Sequence, residues 1–399
     1  MLAVTAVLCS WSDARRAKDA YHAARVAAFD MLLDDPCPTA SYTGFTKALR
    51  CLYGVQLVFW VQQHLQEAIR DMAGPHWKIG RWVPFAFDGS RFNVPRTKAN
   101  QEAFGCAGRD KTGPQILLTS AWHMGTGLPW DWRCDAGTGS ERAHFRSMIL
   151  DLPLDALGVC DAGFVGYEVM TTAHEARRHF LIRVGANVEL LTGLGDYVLE
   201  RHHIVHLWPR GQRRSGHPPL TLRLIVIRDG KTPVYLVTNV LDPTLLSNAE
   251  AAAMYRRRWG VEVYHRTLKE TLDARKLRSR APAQALKELE WTVIGLQLLG
   301  LMSVAEVVAD GASPGCWSSA GALRIVRDAM ANRPPHEPTT LSVIEQLGQA
   351  RQDGYERFSS KTSRDYPRKK QQKPPGAPKI RPATAKELRN ARRYRRAVG

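Results

Sequence analysis

The stretch YRRRWGVEVYHRTLKE, residues 255–270, surrounds a carboxylate with basic and aromatic side chains. If it is helical, at about 100° per residue, four of its side chains fall within roughly a 60° arc of one face. These four are Tyr255, Arg258, Glu262 and Lys269. The spacing therefore predicts one helix whose face presents an acid, two cations and a phenol to a common ligand.

The chain as a whole is strongly basic. Its 399 residues include 56 Lys and Arg against 38 Asp and Glu, a net charge of +18, and 44% of them are hydrophobic, enough for a full core. Residues 351–399 hold 16 basic and 4 acidic side chains, or +12, which is two thirds of the excess. This balance predicts a polyanionic partner, with nucleic acid favoured over an acidic membrane.

Neither a membrane span nor a disulfide framework is expected. The most apolar run, residues 291–305, is shorter than the ~20 residues of a spanning helix and predicts a buried core helix. The opening MLAVTAVLC has no positive n-region, so we do not expect a signal peptide. The seven cysteines are scattered without CxxC spacing, which argues against structural zinc and favours a reducing cytoplasm.

Hydrophobic patterns along the chain predict an α/β protein with a mixed sheet flanked by helices. We expect a helical N-terminal domain at 1–80, a first part of the core at 81–185, a β-rich insertion at 186–240, a second part of the core at 241–312, a helical segment at 313–358 and a basic tail at 359–399. The tail is rich in proline and poor in large aliphatic residues, which predicts that it is disordered until bound.

Two aspartates each end a buried strand. Asp88 follows the apolar residues of VPFAFDGSRFNV, and Asp161 follows ALGVC. If these strands are neighbours and the helix bearing Glu262 packs alongside, three carboxylates converge, an arrangement that requires a neutralising cation. Oxygen ligands of this kind suit Mg²⁺ or Mn²⁺, and two ions about 3.5 to 4 Å apart would support phosphoryl transfer. Arg258 and Lys269 can then hold phosphates.

Each of these residues also has a purely structural interpretation. A buried aspartate at a strand end is commonly a turn cap, and Glu262 can form a salt bridge with Arg266 four residues later. The ring of Tyr255 can simply pack. His202, His203 and His206 fall in a segment with strand periodicity, so adjacent side chains point to opposite faces and predict a polar surface rather than a metal site.

The spacing of Tyr255, Arg258, Glu262 and Lys269 resembles the Tyr-Arg-Glu-Lys signature of bacterial insertion-sequence transposases of the DDE class. The flanking segments VYLVTNV and APAQALKELEW resemble that family as well, and the likeness covers roughly residues 82–309. Residues 1–80 and the tail carry no matching motif, although DNA-end binding is a candidate role for the N-terminal domain.

The resemblance implies a ribonuclease-H-like catalytic core in which Asp88, Asp161 and Glu262 ligate the metal ions. It places the insertion between Asp161 and Glu262. These two acids lie 101 residues apart, whereas Asp88 and Asp161 are separated by 73 residues. Tyr255, Arg258, Lys269 and Arg266 are then expected to contact DNA. The carry-over to Tyr235, as an aromatic that stacks on a displaced base, is the weakest of these implications.

The expected function is that of a DNA transposase. The enzyme would bind the ends of its element, hydrolyse a phosphodiester with two Mg²⁺ or Mn²⁺ ions, and transfer the strand into target DNA, as a dimer when bound to DNA. Two alternatives stay open: a transposase descendant that only binds DNA, and a ribonuclease-H-like nuclease that hydrolyses without strand transfer.

Overall fold

The computed structural model describes residues 1–31, 41–107, 113–194, 203–228, 232–331, 341–352 and 376–397. The chain divides into two compact units. The first consists of Met1–Ile79, Asp88–Glu141 and Trp259–Gln352, and the second of Gly80–Phe87, Arg142–Arg258 and the described part of Asp353–Gly399. Strands and helices occur in both units, so the expectation of an α/β protein is confirmed.

The first unit is mostly helical. Its helices are α1 (Leu2–Trp11), α2 (Ala17–Met31), α3 (Tyr42–Arg50), α4 (Leu52–Ala73), α5 (Lys98–Phe104), α10 (Trp259–Arg266), α11 (Pro282–Ala309), α12 (Ser319–Met330) and α13 (Val343–Gln349). Its strands are the second half of β1 (Val83–Asn93), β2 (Gln115–His123) and β3 (Leu128–Ala136), of which β2 and β3 form an antiparallel hairpin. The N-terminal helices therefore belong to the same unit as α10 to α13.

Helix α11 forms the core of the first unit. It begins with Pro282, a residue preorganised for the first helical turn, and contacts α1, α4, α12, α13 and β3. The Trp11 indole donates a hydrogen bond of 3.0 Å to the carbonyl of Gly295. By length and composition α11 could cross a membrane, but 61% of its most apolar window is buried inside the protein. The prediction of a buried core helix at residues 291–305 is thus confirmed.

The second unit contains a mixed sheet. Its strands are the first half of β1, then β4 (Ala156–Cys160), β5 (His179–Val184), β6 (Glu189–Thr192), β7 (Ile204–Leu207), β8 (Leu220–Ile227), β9 (Val234–Thr238) and β10 (Lys379–Pro382). Their order is β10-β6-β7-β8-β9-β5-β4-β1. Strands β1, β4 and β5 run parallel, whereas β9, β8, β7 and β6 pair antiparallel in succession from β5.

Close packing holds the parallel strands of this unit against a helix. The helices of the unit are α6 (Glu141–Asp151), α7 (Tyr167–Glu175), α8 (Arg210–Arg214), α9 (Asn248–Arg257) and α14 (Ala385–Ala397). Phe87 on β1 and Phe145 on α6 are fully buried and meet edge to face, with ring centroids 4.7 Å apart. Gly158 on β4 leaves room for them, because a Cβ there would lie 3.3 Å from Phe145 and 3.4 Å from Phe87.

Residues 186–240 extend the sheet with β6 to β9 and also contain the short helix α8. Residues 195–202 and 229–231, including His202, lie outside the described part of the chain. His203 is exposed, but His206 is not part of a polar surface as predicted. It is 3% exposed because β7 lies between β6 and β8, and its Nδ1 is 3.3 Å from the Thr221 hydroxyl.

The expectation of a disordered tail is wrong for residues 376–397. Strand β10 pairs in parallel with β6, and helix α14 follows it. Nonpolar contacts stabilise this arrangement, and the periodicity of the sequence did not reveal them. The side chains of α14 that take part are Leu388, Ala391 and Tyr394, and they pack with Leu191, Leu194 and Trp208. Residues 353–375 of the predicted tail lie outside the described residues.

Candidate functional site

The two aspartates follow the last paired residues of two neighbouring parallel strands. In the second unit, β1 pairs with β4 from Val83 opposite Ala156 to Phe87 opposite Cys160. Asp161 directly follows the end of β4. Asp88 follows Phe87 but lies inside β1, which continues to Asn93, so the prediction that Asp88 ends its strand is wrong; only the parallel pairing with β4 ends there. The register therefore ends at the same level on both strands, immediately before each acid. The carboxyl ends of parallel strands are the usual position of ligand sites in α/β proteins.

Asp161 lies among polar groups of the second unit. The Tyr255 hydroxyl donates a hydrogen bond of 3.2 Å to its Oδ1, and the Arg183 guanidinium lies 4.0 Å from the same atom. The Asp161 side chain is 44% exposed, so one side remains open to solvent. Burial raises the pKa of Tyr255, and the negative charge of Asp161 raises it further. The phenol is therefore a stable hydrogen-bond donor at neutral pH.

Asp88 lies beside a buried histidine of the first unit. His265 on α10 is 5% exposed, and its Nδ1 is 3.5 Å from Oδ2 of Asp88. Its Nε2 is 3.3 Å from the hydroxyl of Ser120 on β2. The imidazole thus lies between a serine hydroxyl and a carboxylate, while the Asp88 side chain remains 25% exposed. Asp88 therefore lies next to the helix that carries Glu262.

The prediction of one regular helix through residues 255–269 is wrong. Helix α9 ends at Arg257, α10 spans Trp259–Arg266, and Thr267–Thr271 is π-helical. The Leu272 amide bonds to the Thr267 carbonyl five residues earlier at 3.1 Å, which widens the turn. Angles calculated at 3.6 residues per turn therefore do not apply to Lys269. Single π-turns of this kind are frequent at functional sites.

Lys269 contacts β1 within the first unit. Its ammonium donates a hydrogen bond of 2.7 Å to the hydroxyl of Ser90 and lies 5.1 Å from the ring centroid of Phe92. Burial lowers the pKa of this lysine, and the nearby positive charge of Arg275 adds to that shift, whereas Asp88 opposes it. Lys269 is thus a half-buried cation of the first unit, and its charge interacts with that of Asp88.

The other predicted DNA contacts occupy different environments. Arg258 is only 7% exposed, and its guanidinium carbon lies 5.6 Å from the centroid of the Tyr255 ring. Arg266 is exposed on α10, and Glu262 is half-buried. Tyr235 lies half-buried on β9, opposite Val184 of β5. Arg258 is therefore placed to stack on Tyr255, and Arg266 is open to a ligand.

The donor chemistry of the two aspartates suits a hard divalent cation. Asp88 and Asp161 each offer partly exposed carboxylate oxygens, which Mg²⁺ and Mn²⁺ prefer. Among the described residues, no three His, Cys, Asp or Glu side chains already lie grouped as a metal site. Asp88 in the first unit and Asp161 in the second thus each have the donor chemistry of a ligand to such an ion.

Sequence reasoning missed His265, Arg183 and Ser90. His265 lies in the quoted stretch, three residues after Glu262 and on the same side of a helical turn, so its position was an available signal. Arg183 lies on β5, the neighbour of β4, and no local pattern distinguishes it from other strand residues. Ser90 is contacted by a lysine 179 residues away.

Gly260 provides a test of how tightly α10 packs on β2. A Cβ at this position would lie 2.1 Å from the Trp122 ring. We expect Gly260→Ala to lower the free energy of unfolding by about 1 to 3 kcal/mol, because the ring or the helix must shift. Urea unfolding followed by circular dichroism measures this, with Gly163→Ala, which meets no atom within 4 Å, as the control. Equal midpoints for the two variants would contradict the prediction.

Comparison with known proteins gives concordant matches. The family model described as "Transposase DDE domain" matches residues 83–298, more than half of the chain and a region that contains all three acids. The chain is 28% identical over 233 residues to "Transposase InsG for insertion sequence element IS4" of Escherichia coli (strain K12), which covers 55% of this chain and 51% of that protein. The chain thus matches about half the length of this curated relative.

A solved structure also shows a likeness. It is the cryo-EM structure of the piggyBac transposase synaptic complex with hairpin DNA, at 14% sequence identity and a TM-score of 0.40. The likeness covers 82% of this chain and 70% of that chain.

Proposed function

This chain belongs to the family of the transposase DDE domain, and from that premise we propose that it is the DNA transposase of an insertion sequence. It binds the ends of its element, hydrolyses a phosphodiester there, and joins the freed 3′-OH to target DNA. The observation that carries the proposal is the parallel register of β1 and β4, which ends at Phe87 and Cys160, each followed by an aspartate.

We assign Asp88, Asp161 and Glu262 as the residues that hold Mg²⁺ or Mn²⁺, as two ions. When bound, the ions activate the attacking oxygen and stabilise the leaving oxygen of the phosphodiester. The mixed sheet, with an aspartate directly after the last paired residue of each of two neighbouring parallel strands, supports a ribonuclease-H-like core. That the glutamate of α10 joins the two aspartates in one metal site is part of the proposal.

The surrounding residues position the acids. The Tyr255 hydroxyl holds one oxygen of Asp161 and leaves the other for a ligand. His265 orients Asp88 from a buried position, since its ring is anchored by Ser120. Arg258 is too buried to reach a phosphate in this conformation, and its role is to support the ring of Tyr255.

Phosphates of the DNA are contacted by cations that remain accessible. Lys269 lies beside Ser90, where a phosphate oxygen can replace the serine hydroxyl as its acceptor. Arg266 is exposed on the helix that carries Glu262. It contacts the phosphate backbone of the same DNA strand as Lys269. Tyr235 is the candidate platform for a base displaced from the duplex. Because two ends must be brought together, the active form on DNA is a dimer.

A strand-transfer assay tests the proposal. End-labelled DNA carrying the terminal repeats that flank the gene is incubated with the protein, with or without a supercoiled target plasmid, in Mg²⁺ or in EDTA. We expect labelled ends to be cleaved and joined to the plasmid in Mg²⁺, and both products to disappear in EDTA because the carboxylates then lack their ions.

Other outcomes would reject the proposal in distinguishable ways. Cleavage without joining identifies a nuclease, and binding without cleavage identifies a DNA-binding descendant. Cleavage that persists at full rate in EDTA rules out the metal-dependent mechanism.

A further inference from the structure

The C-terminal helix α14 has two chemically different faces. Glu387, Ala391 and Tyr394, spaced by three or four residues, lie on the side that is docked in the second unit. Lys386, Arg389 and Arg392 are exposed on the opposite side. The three cations are spaced by three residues and span about 9 Å of helix axis. Docking thus presents a row of positive charges to solvent.

A buried carboxylate anchors this helix. Glu387 is 6% exposed and forms ion pairs with Arg213 of α8 and with Arg381 of β10, the latter at 2.8 Å. Arg381 also pairs with Glu189 of β6 at 2.9 Å. Removing one partner of a buried ion-pair network leaves the others uncompensated, which is costly. The position of α14 is therefore specified by paired charges as well as by nonpolar contacts.

Helix α8, which contacts α14, carries further exposed cations. The Trp208 ring, just before α8, meets Tyr394 edge to face at 6.1 Å, and the Arg213 side chain joins the two helices through Glu387. Arg210 and Arg214, on either side of Arg213, are exposed. Five accessible cations thus lie on two helices that are joined by the ion pair between Arg213 and Glu387, residues 174 positions apart in the chain.

The chemistry of this surface selects a phosphate backbone over a lipid surface. An amphipathic helix that inserts into a membrane needs a free apolar face. Here Leu388, Ala391 and Tyr394 are already packed against Leu191, Leu194 and Trp208. What remains exposed at Arg389, Arg392 and Lys386 is charge, and guanidinium groups bind phosphates in a bidentate geometry. Double-stranded DNA offers one negative charge per ~1.7 Å of helix axis along such a row.

We infer that Lys386, Arg389 and Arg392 of α14, together with Arg210 and Arg214 of α8, form a DNA-phosphate-binding surface outside the metal site. This rests on the proposed function for the identity of the nucleic acid and deepens it. The surface holds duplex DNA without reading its sequence, because its contacts are to phosphates.

A charge-matched comparison in the full-length chain tests the inference. The triple variant Lys386→Gln, Arg389→Gln and Arg392→Gln is compared with Arg15→Gln, Arg16→Gln and Lys18→Gln, which removes three exposed cations near α2. Binding to a 30-base-pair duplex of arbitrary sequence is measured between 50 and 200 mM salt. For the α14 triple variant we expect affinity lower by on the order of 10²-fold at 0.1 M salt and a salt slope shallower by about 2.7, since each phosphate contact contributes about 0.9.

The two triple variants must differ for the inference to hold. Equal affinities would show that only net charge matters and would overturn it, as would an unchanged salt slope in the α14 variant. Loss of binding to vesicles of anionic lipid or to single-stranded RNA, with duplex affinity intact, would also overturn it.

A second variant separates the docked position from the charges. Glu387→Gln keeps the cations of α14 but removes its anchor, and we expect α14 to become sensitive to trypsin and duplex affinity to fall. Full protection of α14 combined with unchanged affinity would overturn the role of docking. These outcomes are distinguishable from a failure of the proposed function, which would appear as DNA binding without cleavage by the unaltered chain.

Discussion

Replacement of Glu262 by glutamine is expected to lower the rate of DNA cleavage by at least about 10³-fold while leaving the affinity for transposon ends unchanged. Glutamine preserves the size of the side chain but lacks the negative charge that a hard cation requires. Metal ions contribute several kcal/mol of transition-state stabilisation, and each 1.36 kcal/mol corresponds to a factor of ten in rate. Single-turnover cleavage of labelled end DNA, with a parallel gel-shift titration, measures both quantities.

Glu270→Gln is the matched control for this variant. Glu270 lies in the π-helical turn after α10, is half-exposed and pairs with Arg275. Exposed ion pairs of this kind contribute about 0 to 1 kcal/mol to stability, so we expect cleavage within about twofold of the unaltered rate. Substantial Mg²⁺-dependent nicking by the Glu262 variant would reject the assignment of this glutamate.

Replacement of Phe87 by alanine is expected to reduce the free energy of unfolding of the second unit by about 3 to 5 kcal/mol. Phe87 is fully buried on β1 and meets Phe145 of α6 edge to face at 4.7 Å. Its removal leaves a cavity beside Gly158, which has no side chain to fill the space. Urea unfolding monitored by hydrogen exchange of β4 amides measures the loss.

Phe59→Ala serves as the control for that substitution. The Phe59 side chain is 61% exposed on α4, so its truncation removes little buried area, and we expect an effect within about 0.5 kcal/mol. If Phe87→Ala and Phe59→Ala unfold at the same urea concentration, the prediction is wrong, because the contact between β1 and α6 then contributes little to stability. Because Phe87 immediately precedes Asp88, the same variant should also lower cleavage.

Local sequence patterns predicted the strands that carry the aspartates. The run VPFA before Phe87 and the run ALGVC are apolar throughout, as strands buried on both faces are, and both are strands in the structure. The capping box at Ser247 and Glu250 likewise marks the start of α9, because the two residues satisfy each other's backbone amides. The family is also confirmed by the match over residues 83–298.

Other features could not be predicted from periodicity. The helix through residues 255–269 is interrupted at Arg258 and becomes π-helical at Thr267, which a uniform 3.6-residue repeat does not predict. Residues 376–397 have too few large aliphatic side chains to fold alone, yet they form β10 and α14, because β6 and Trp208 supply the missing partners. The composition of a segment shows only whether it can fold alone, whereas its docking also depends on the strand edges and nonpolar side chains of other segments.

The amino-acid sequence by itself determined which carboxylates follow buried apolar runs, where the positive charge is concentrated and to which family the chain belongs. These properties are local, since they depend on residue type and spacing within a few turns. Only the tertiary structure decided that Tyr255 donates to Asp161, that His265 accompanies Asp88 and that Glu387 anchors α14. Such contacts join residues from 94 to 177 positions apart, and they arise from strand register and shared burial, which no local pattern encodes.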